Sequence, residues 1–137
     1  MNPKASIITD YTYWVALNQW PQLFFTAKHD GRIVGFIFGL RNAAYPERLF
    51  LWQIGVLASY RRNGIASKLI TELCERAAQD GAEELWLTIA DEIKPSLALF
   101  RKIASAFGSS MIEGGSTGDP GGPLHPERIY SIAIPRS

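Results

Sequence analysis

The chain has 137 residues, 47% of them hydrophobic and 20% charged, with a formal net charge of +1. That length and composition suit one domain spanning residues 1–137 with a real core, and exclude a disordered chain. Near-neutrality argues against broad binding to nucleic acid or to a membrane surface, and the single cysteine, Cys74, excludes an intrachain disulfide and fits a reducing, cytoplasmic setting.

The N-terminus shows no charged flank followed by an apolar core, so no signal peptide is expected. No apolar run approaches the roughly 18 residues needed to cross a bilayer. Residues 10–20 predict a short helix, with Asp10 as a cap and Pro21 just past its end. Two β-rich runs, 22–29 and 32–40, flank Asp30-Gly31 and predict a hairpin. After a loop over 41–47, residues 48–57 form a near-continuous apolar run, as expected of a central strand buried on both faces.

From Asn63 to Gln79 the apolar residues recur at i, i+1, i+4 and i+5, which predicts a long amphipathic helix ended by Asp80-Gly81. Residues 84–90 predict a strand and Pro95 to Phe107 a second long helix, closed by Gly108. Residues 109–127 hold five glycines and three prolines and predict a long loop. Residues 128–134 alternate like a last strand. The expected fold class is α/β (α+β), a mixed, mostly antiparallel sheet flanked by helices.

The segment Arg61-Arg62-Asn63-Gly64-Ile65-Ala66 joins the buried central strand to the long helix. Such a junction aims the free N–H groups of a helix's first turn beyond the strand end, and the helix dipole makes that point attractive to anions. Gly64 permits a close approach that a side chain would block. Arg61, Arg62 and Lys68 add positive charge suited to phosphates. No Gly-x4-Gly-Lys-Ser/Thr phosphate loop and no Gly-x-Gly-x-x-Gly dinucleotide turn is present.

Arg61-x-x-Gly64-x-Ala66 after a strand resembles the Gln/Arg-x-x-Gly-x-Gly/Ala signature of the GNAT superfamily of N-acetyltransferases. The hairpin before it and the strand and helix after it follow the same order, over about residues 22–134. The resemblance implies an acetyl-coenzyme A-dependent enzyme. Backbone at Ile54, Gly55 and Val56 would pair with the pantetheine arm. Amides from Arg62 through Asn63, Gly64, Ile65 and Ala66 to Ser67, with Arg61 beside them, would hold the pyrophosphate. The superfamily's usual first strand has no counterpart before residue 10. A closer resemblance, to the L-2,4-diaminobutyrate acetyltransferases of ectoine synthesis, rests on Tyr11-Thr-Tyr13, Arg32 to Phe36, Leu49 to Gln53, Leu99-Phe100 and His125 to Ile132.

Acetyl transfer to an amine needs a neutral amine, a proton acceptor, and donors for the oxygen on which charge develops. Val56 N–H is the candidate oxygen-binding donor. The proton-transfer candidates are His125 and Glu127, which close the Gly/Pro-rich loop, and Tyr130; a phenol is also present at Tyr13. Phe100 stands where the superfamily often carries a tyrosine and cannot donate a proton. Trp52 and Tyr13 are the candidate substrate contacts; Gln53 neighbours Trp52, and strand alternation lets only one of that pair line a pocket. Asp91 and Glu92, after the strand at 84–90, could also approach the amine. Two distant histidines make no metal site.

The expected substrate is a small primary amine, with 2,4-diaminobutyrate implied by the closer resemblance. Two other readings are a peptide or protein N-terminal acetyltransferase and a non-catalytic acyl-CoA-binding domain. The resemblance also suggests a homodimer.

Overall fold

A computed structural model of the chain describes residues 10–19, 21–90, 94–118 and 126–136. Its elements are helix α1 (Asp10–Gln19), strands β1 (Phe24–His29), β2 (Arg32–Arg41) and β3 (Arg48–Val56), helix α2 (Ile65–Gln79), strand β4 (Glu84–Ile89), helix α3 (Lys94–Ala106), and strands β5 (Met111–Ser116) and β6 (Arg128–Ala133). The six strands form one sheet in the order β1-β2-β3-β4-β6-β5. Only the β3–β4 pair is parallel. The expectation that no strand precedes residue 10 falls on residues 1–9, which are outside the described residues.

The hairpin turn follows from its two residues. Asp30 and Gly31 have φ of 50° and 77°, the left-handed pair that a tight turn between twisted strands needs. On α2, Leu69, Ile70, Leu73, Cys74 and Ala77 are buried, the apolar stripe expected from the sequence. This stripe lies on β2 because β2 offers glycines beneath it. A Cβ on Gly35 would come within 3.2 Å of the Gly55 carbonyl oxygen and 3.3 Å of Ile65. Leu85, Leu87 and Ile89 of β4, Phe100, Ile103 and Ala104 of α3, and Ile132 of β6 complete the same core.

The structure revises the sequence expectations at three places. The stretch 109–127 is not one loop, because Met111–Ser116 forms β5 and pairs with β6. Its five exposed residues in six give no apolar alternation, so nothing local marks it as a strand; an edge position supplies the pairing. Helix α2 begins at Ile65, the first apolar residue of its pattern and two residues inside the stretch Asn63 to Gln79, because Gly64 takes φ 76° as its N-cap. The third concerns β3. Its core-facing side chains are Leu49, Leu51, Ile54 and Val56, with a gap of three where alternation requires two.

That gap is a β-bulge. Phe38 pairs with Gln53 and Gly39 with Leu51, which leaves Trp52 as the extra residue. A bulge places two successive side chains on one face. Gln53, opposite Phe38, shares Phe38's face, and the Trp52 ring lies 5.4 Å from the Phe38 ring. Both therefore point away from α2. This face is more open than a strand buried on both sides would allow, and Trp52 is 43% exposed.

Candidate active site

β3 and β4 run together only at one end. Glu83 and Glu84 N–H both donate to the Glu47 carbonyl, at 2.7 and 3.1 Å, and the parallel register then covers Arg48 to Phe50 against Glu84 to Trp86. Beyond Phe50 the strands part. A cavity of about 680 Å³ lies where they separate, walled by Leu51 to Ile54 on one side and Leu87 to Ala90 on the other. Phe36, Phe50, Thr117 and Glu127 also line it, as do Ser96 and Phe100, one turn apart on α3.

The register of β3 decides which amides face this opening. Leu57 N–H donates to the Val34 carbonyl at 2.8 Å, so residue 57 bonds toward β2. Bonding direction alternates along a strand. Gly55 therefore bonds toward β2, opposite Phe36, whereas the N–H and C=O groups of Ile54 and Val56 point to the β4 side. The Val56 carbonyl accepts from Arg61 Nε at 3.5 Å, which ties the turn to the strand end.

The turn from Tyr60 to Gly64 is built from unusual backbone. Arg62 and Gly64 both take positive φ, 67° and 76°, and Asn63 Nδ2 donates to the Tyr60 carbonyl at 3.3 Å. A Cβ placed on Gly64 would meet nothing within 4 Å. The first-turn amides of α2, on Ile65, Ala66 and Ser67, precede the first residue that bonds back within the helix, Lys68 N–H to the Gly64 carbonyl at 3.0 Å. This is an open cradle with free donors and a helix dipole behind it, and it suits a phosphate group.

Glu127 reaches the cavity because two hydrogen bonds hold it against Thr117. Thr117 N–H donates to the Glu127 carbonyl at 2.9 Å, and Glu127 N–H donates to Thr117 Oγ1 at 2.9 Å. Arg128, the next residue, pairs with Glu113 Oε1 at 3.0 Å. Among the described residues that line the cavity, Glu127 is the one charged side chain.

The structure brings Trp52, Ile54 and Glu127 to one cavity, with Val56 at the end of the same strand and Arg61 to Ser67 continuing from it. Tyr130 is elsewhere: it lies buried in the core, opposite Leu87 on β4 and Glu113 on β5. His125, Asp91, Glu92 and the side chain of Tyr13 lie outside the described residues. Sequence reasoning missed Thr88, Ser96 and Thr117 on the cavity wall. Only the i, i+4 relation of Ser96 to Phe100 was there to be read. It also restricted the pair Trp52 and Gln53 to one lining residue; both line the cavity, because the bulge cancels the alternation.

Sequence comparison identifies the architecture: the acetyltransferase (GNAT) family profile matches residues 3–104. The chain belongs to the acetyltransferase (GNAT) family. It is 31% identical over 103 residues to the L-2,4-diaminobutyric acid acetyltransferase of Nocardia farcinica, covering 75% of this chain and 53% of that protein. With the enzyme of the same name from Shouchella clausii it shares 35% identity over 96 residues, 70% of this chain and 54% of that one. The chain thus spans little more than half the length of these curated relatives.

Among solved structures, the diaminobutyrate acetyltransferase of Paenibacillus lautus, in complex with L-2,4-diaminobutyric acid and coenzyme A, superposes with a TM-score of 0.82 at 29% identity, covering 93% of this chain and 79% of that one. Naa20 from Chaetomium thermophilum, in complex with a bisubstrate analogue, superposes with a TM-score of 0.76, covering 93% of this chain and 74% of that one. Its 17% identity shows the shared fold alone. Within the described residues no cluster of His, Cys, Asp or Glu is arranged to hold a metal ion, and no helix is long and apolar enough to cross a membrane.

Proposed function

We propose that the chain is an acetyl-coenzyme A-dependent N-acetyltransferase whose substrate is a small primary amine, 2,4-diaminobutyrate. The observation that carries this reading is the parting of β3 from β4, which opens a cavity beside Ile54 and leaves the backbone of Ile54 and Val56 unpaired on the β4 side, on the strand that runs on to the open turn at Gly64. Likeness to the Paenibacillus lautus enzyme, whose complex contains that amino acid and coenzyme A, supports the choice of both ligands.

Ile54 and Val56 suit an extended amide-bearing arm, since both offer backbone groups on one strand edge. The amides from Arg62 to Ser67 suit a pyrophosphate, with Arg61 and Arg62 adding charge. Acetyl-coenzyme A supplies an acetyl group already activated as a thioester.

Val56 N–H points into the opening and serves as the donor for the acyl oxygen as charge develops there. Glu127 holds the cationic form of the amine by charge and accepts its proton at a carboxylate oxygen. Trp52 offers an aromatic face to the same cation. Phe100 and Leu87 keep the opposite wall dry. A dimer is part of the same reading, and Ile112, 62% exposed on edge strand β5, is an apolar residue that such contact would cover.

The test is release of free thiol from acetyl-coenzyme A on addition of 2,4-diaminobutyrate, followed by mass spectrometry of the product. Amine-dependent thiol release with a monoacetylated product is expected. Thermal stabilisation by acetyl-coenzyme A without any amine-dependent release would reduce the reading to a coenzyme-binding domain.

A further inference from the structure

The bulge at Trp52 has a chemical consequence for its neighbour. Without it, Gln53 would alternate into the core beside Leu51, where a buried carboxamide without partners is unfavourable. With it, the side chain shares the Phe38 face and lines the cavity. Among the described residues its amide engages no hydrogen-bond partner, so both N–H hydrogens are available.

The cavity's charge restricts what this amide can meet. No arginine, lysine or histidine stands among the described lining residues, and Glu127 is anionic. An amine is welcome at Glu127; a carboxylate is repelled by it. A neutral donor on another part of the wall would receive the carboxylate of a substrate that carries both without that repulsion. Thr117 Oγ1 accepts from Glu127 N–H, and the hydroxyls of Thr88, Ser96 and Thr117 on the wall each carry a single hydrogen to donate. Gln53 offers two hydrogens from one nitrogen, on a strand whose position is fixed by pairing.

Resting on the proposed N-acetyltransferase activity, we propose that Gln53 is the residue that reads the substrate's carboxylate: its carboxamide, turned into the cavity by the bulge, selects an α-amino acid bearing a second amine over the simple diamine that lacks the carboxyl group.

The experiment compares 2,4-diaminobutyrate with 1,3-diaminopropane, the same skeleton without the carboxyl group, in the unmodified chain and in Gln53→Leu and Gln53→Glu. The readout is the ratio of the two kcat/KM values, with a cooperative melting transition required of each variant. The unmodified chain is expected to favour the amino acid. Gln53→Leu, close in size but without donors, lowers the ratio about 10-fold or more, the scale of a hydrogen bond to a charged group. Gln53→Glu keeps the shape, repels the carboxylate and attracts the second amine, so the preference turns toward the diamine. Turnover of both compounds with a ratio that neither substitution moves would overturn the Gln53 assignment alone. An unmodified chain that acetylates neither compound would overturn the substrate reading and the assignment with it.

Discussion

Thr117 and Glu127 grip each other by two hydrogen bonds, each of 2.9 Å, one through the Thr117 hydroxyl and one through its backbone N–H. This clasp joins the end of β5 to the start of β6 across ten residues and keeps Glu127 on the cavity wall. Thr117→Val removes the hydroxyl while keeping the shape, which leaves the Glu127 N–H without that partner at a cost of about 1 kcal/mol. The Michaelis constant for the amine is expected to rise several-fold while coenzyme affinity stays constant, and Thr117→Ser is expected to restore it. Steady-state kinetics with each substrate varied in turn separate these outcomes; equal changes for both substrates would disprove the clasp's role.

Gly64 is expected to tolerate substitution poorly for two separable reasons. Its φ of 76° strains any other residue by about 1–2 kcal/mol, which a denaturant titration of Gly64→Ala measures. A Cβ there meets nothing within 4 Å among the described residues but projects where a phosphate would approach the helix amides. Calorimetric affinity for coenzyme A is therefore expected to fall about 10-fold or more in Gly64→Ala, and further in Gly64→Val. Unchanged affinity would refute the placement of the pyrophosphate.

Gly35 is a packing glycine. An added Cβ would sit 3.2 Å from the Gly55 carbonyl oxygen and 3.3 and 3.4 Å from Ile65 and Leu69, closer than the backbone of β3 can readily concede. Gly35→Ala is expected to destabilise the fold by about 1–3 kcal/mol. Because Ile65 opens α2, the displaced helix end is also expected to weaken coenzyme binding. A variant as stable as the parent in urea would show that α2 can move away freely.

Cys74 lies in the core, and its burial, reinforced by the charge of Glu75, pushes the thiol from its ordinary 9.0 up to about 12. Above pH 9 the unfolded thiol loses its proton while the folded one retains it, so folding stability from this group is whole below about 9 and declines as pH rises toward 12. Relative to Cys74→Ala, the unmodified chain is expected to lose stability between pH 8.5 and 10.5, measured by urea unfolding at each pH. The thiol is also expected to resist an aromatic disulfide reagent at neutral pH until the chain unfolds. Parallel stability profiles for the two chains would contradict the raised value.

Several features of this protein are local and were legible from residue order. The Asp30-Gly31 turn, the apolar stripe of α2 and the strand-to-helix junction at Arg61 to Ala66 each depend on neighbours a few residues away. Such neighbours settle backbone angles and helix faces without help from the rest of the chain. Recognition of the GNAT pattern followed from that junction.

The parts that shape the cavity are not local. Met111–Ser116, rich in glycine and mostly exposed, is a strand only because β6 supplies its hydrogen-bond partners. The extra residue at Trp52 exists only relative to the register of β2, and the opening beside Ile54 and Val56 only because β4 turns away after Trp86. Residue order determined the open turn at Arg61 to Ala66; cross-strand register, which no single stretch of sequence contains, decided that Trp52 and Gln53 both line the cavity.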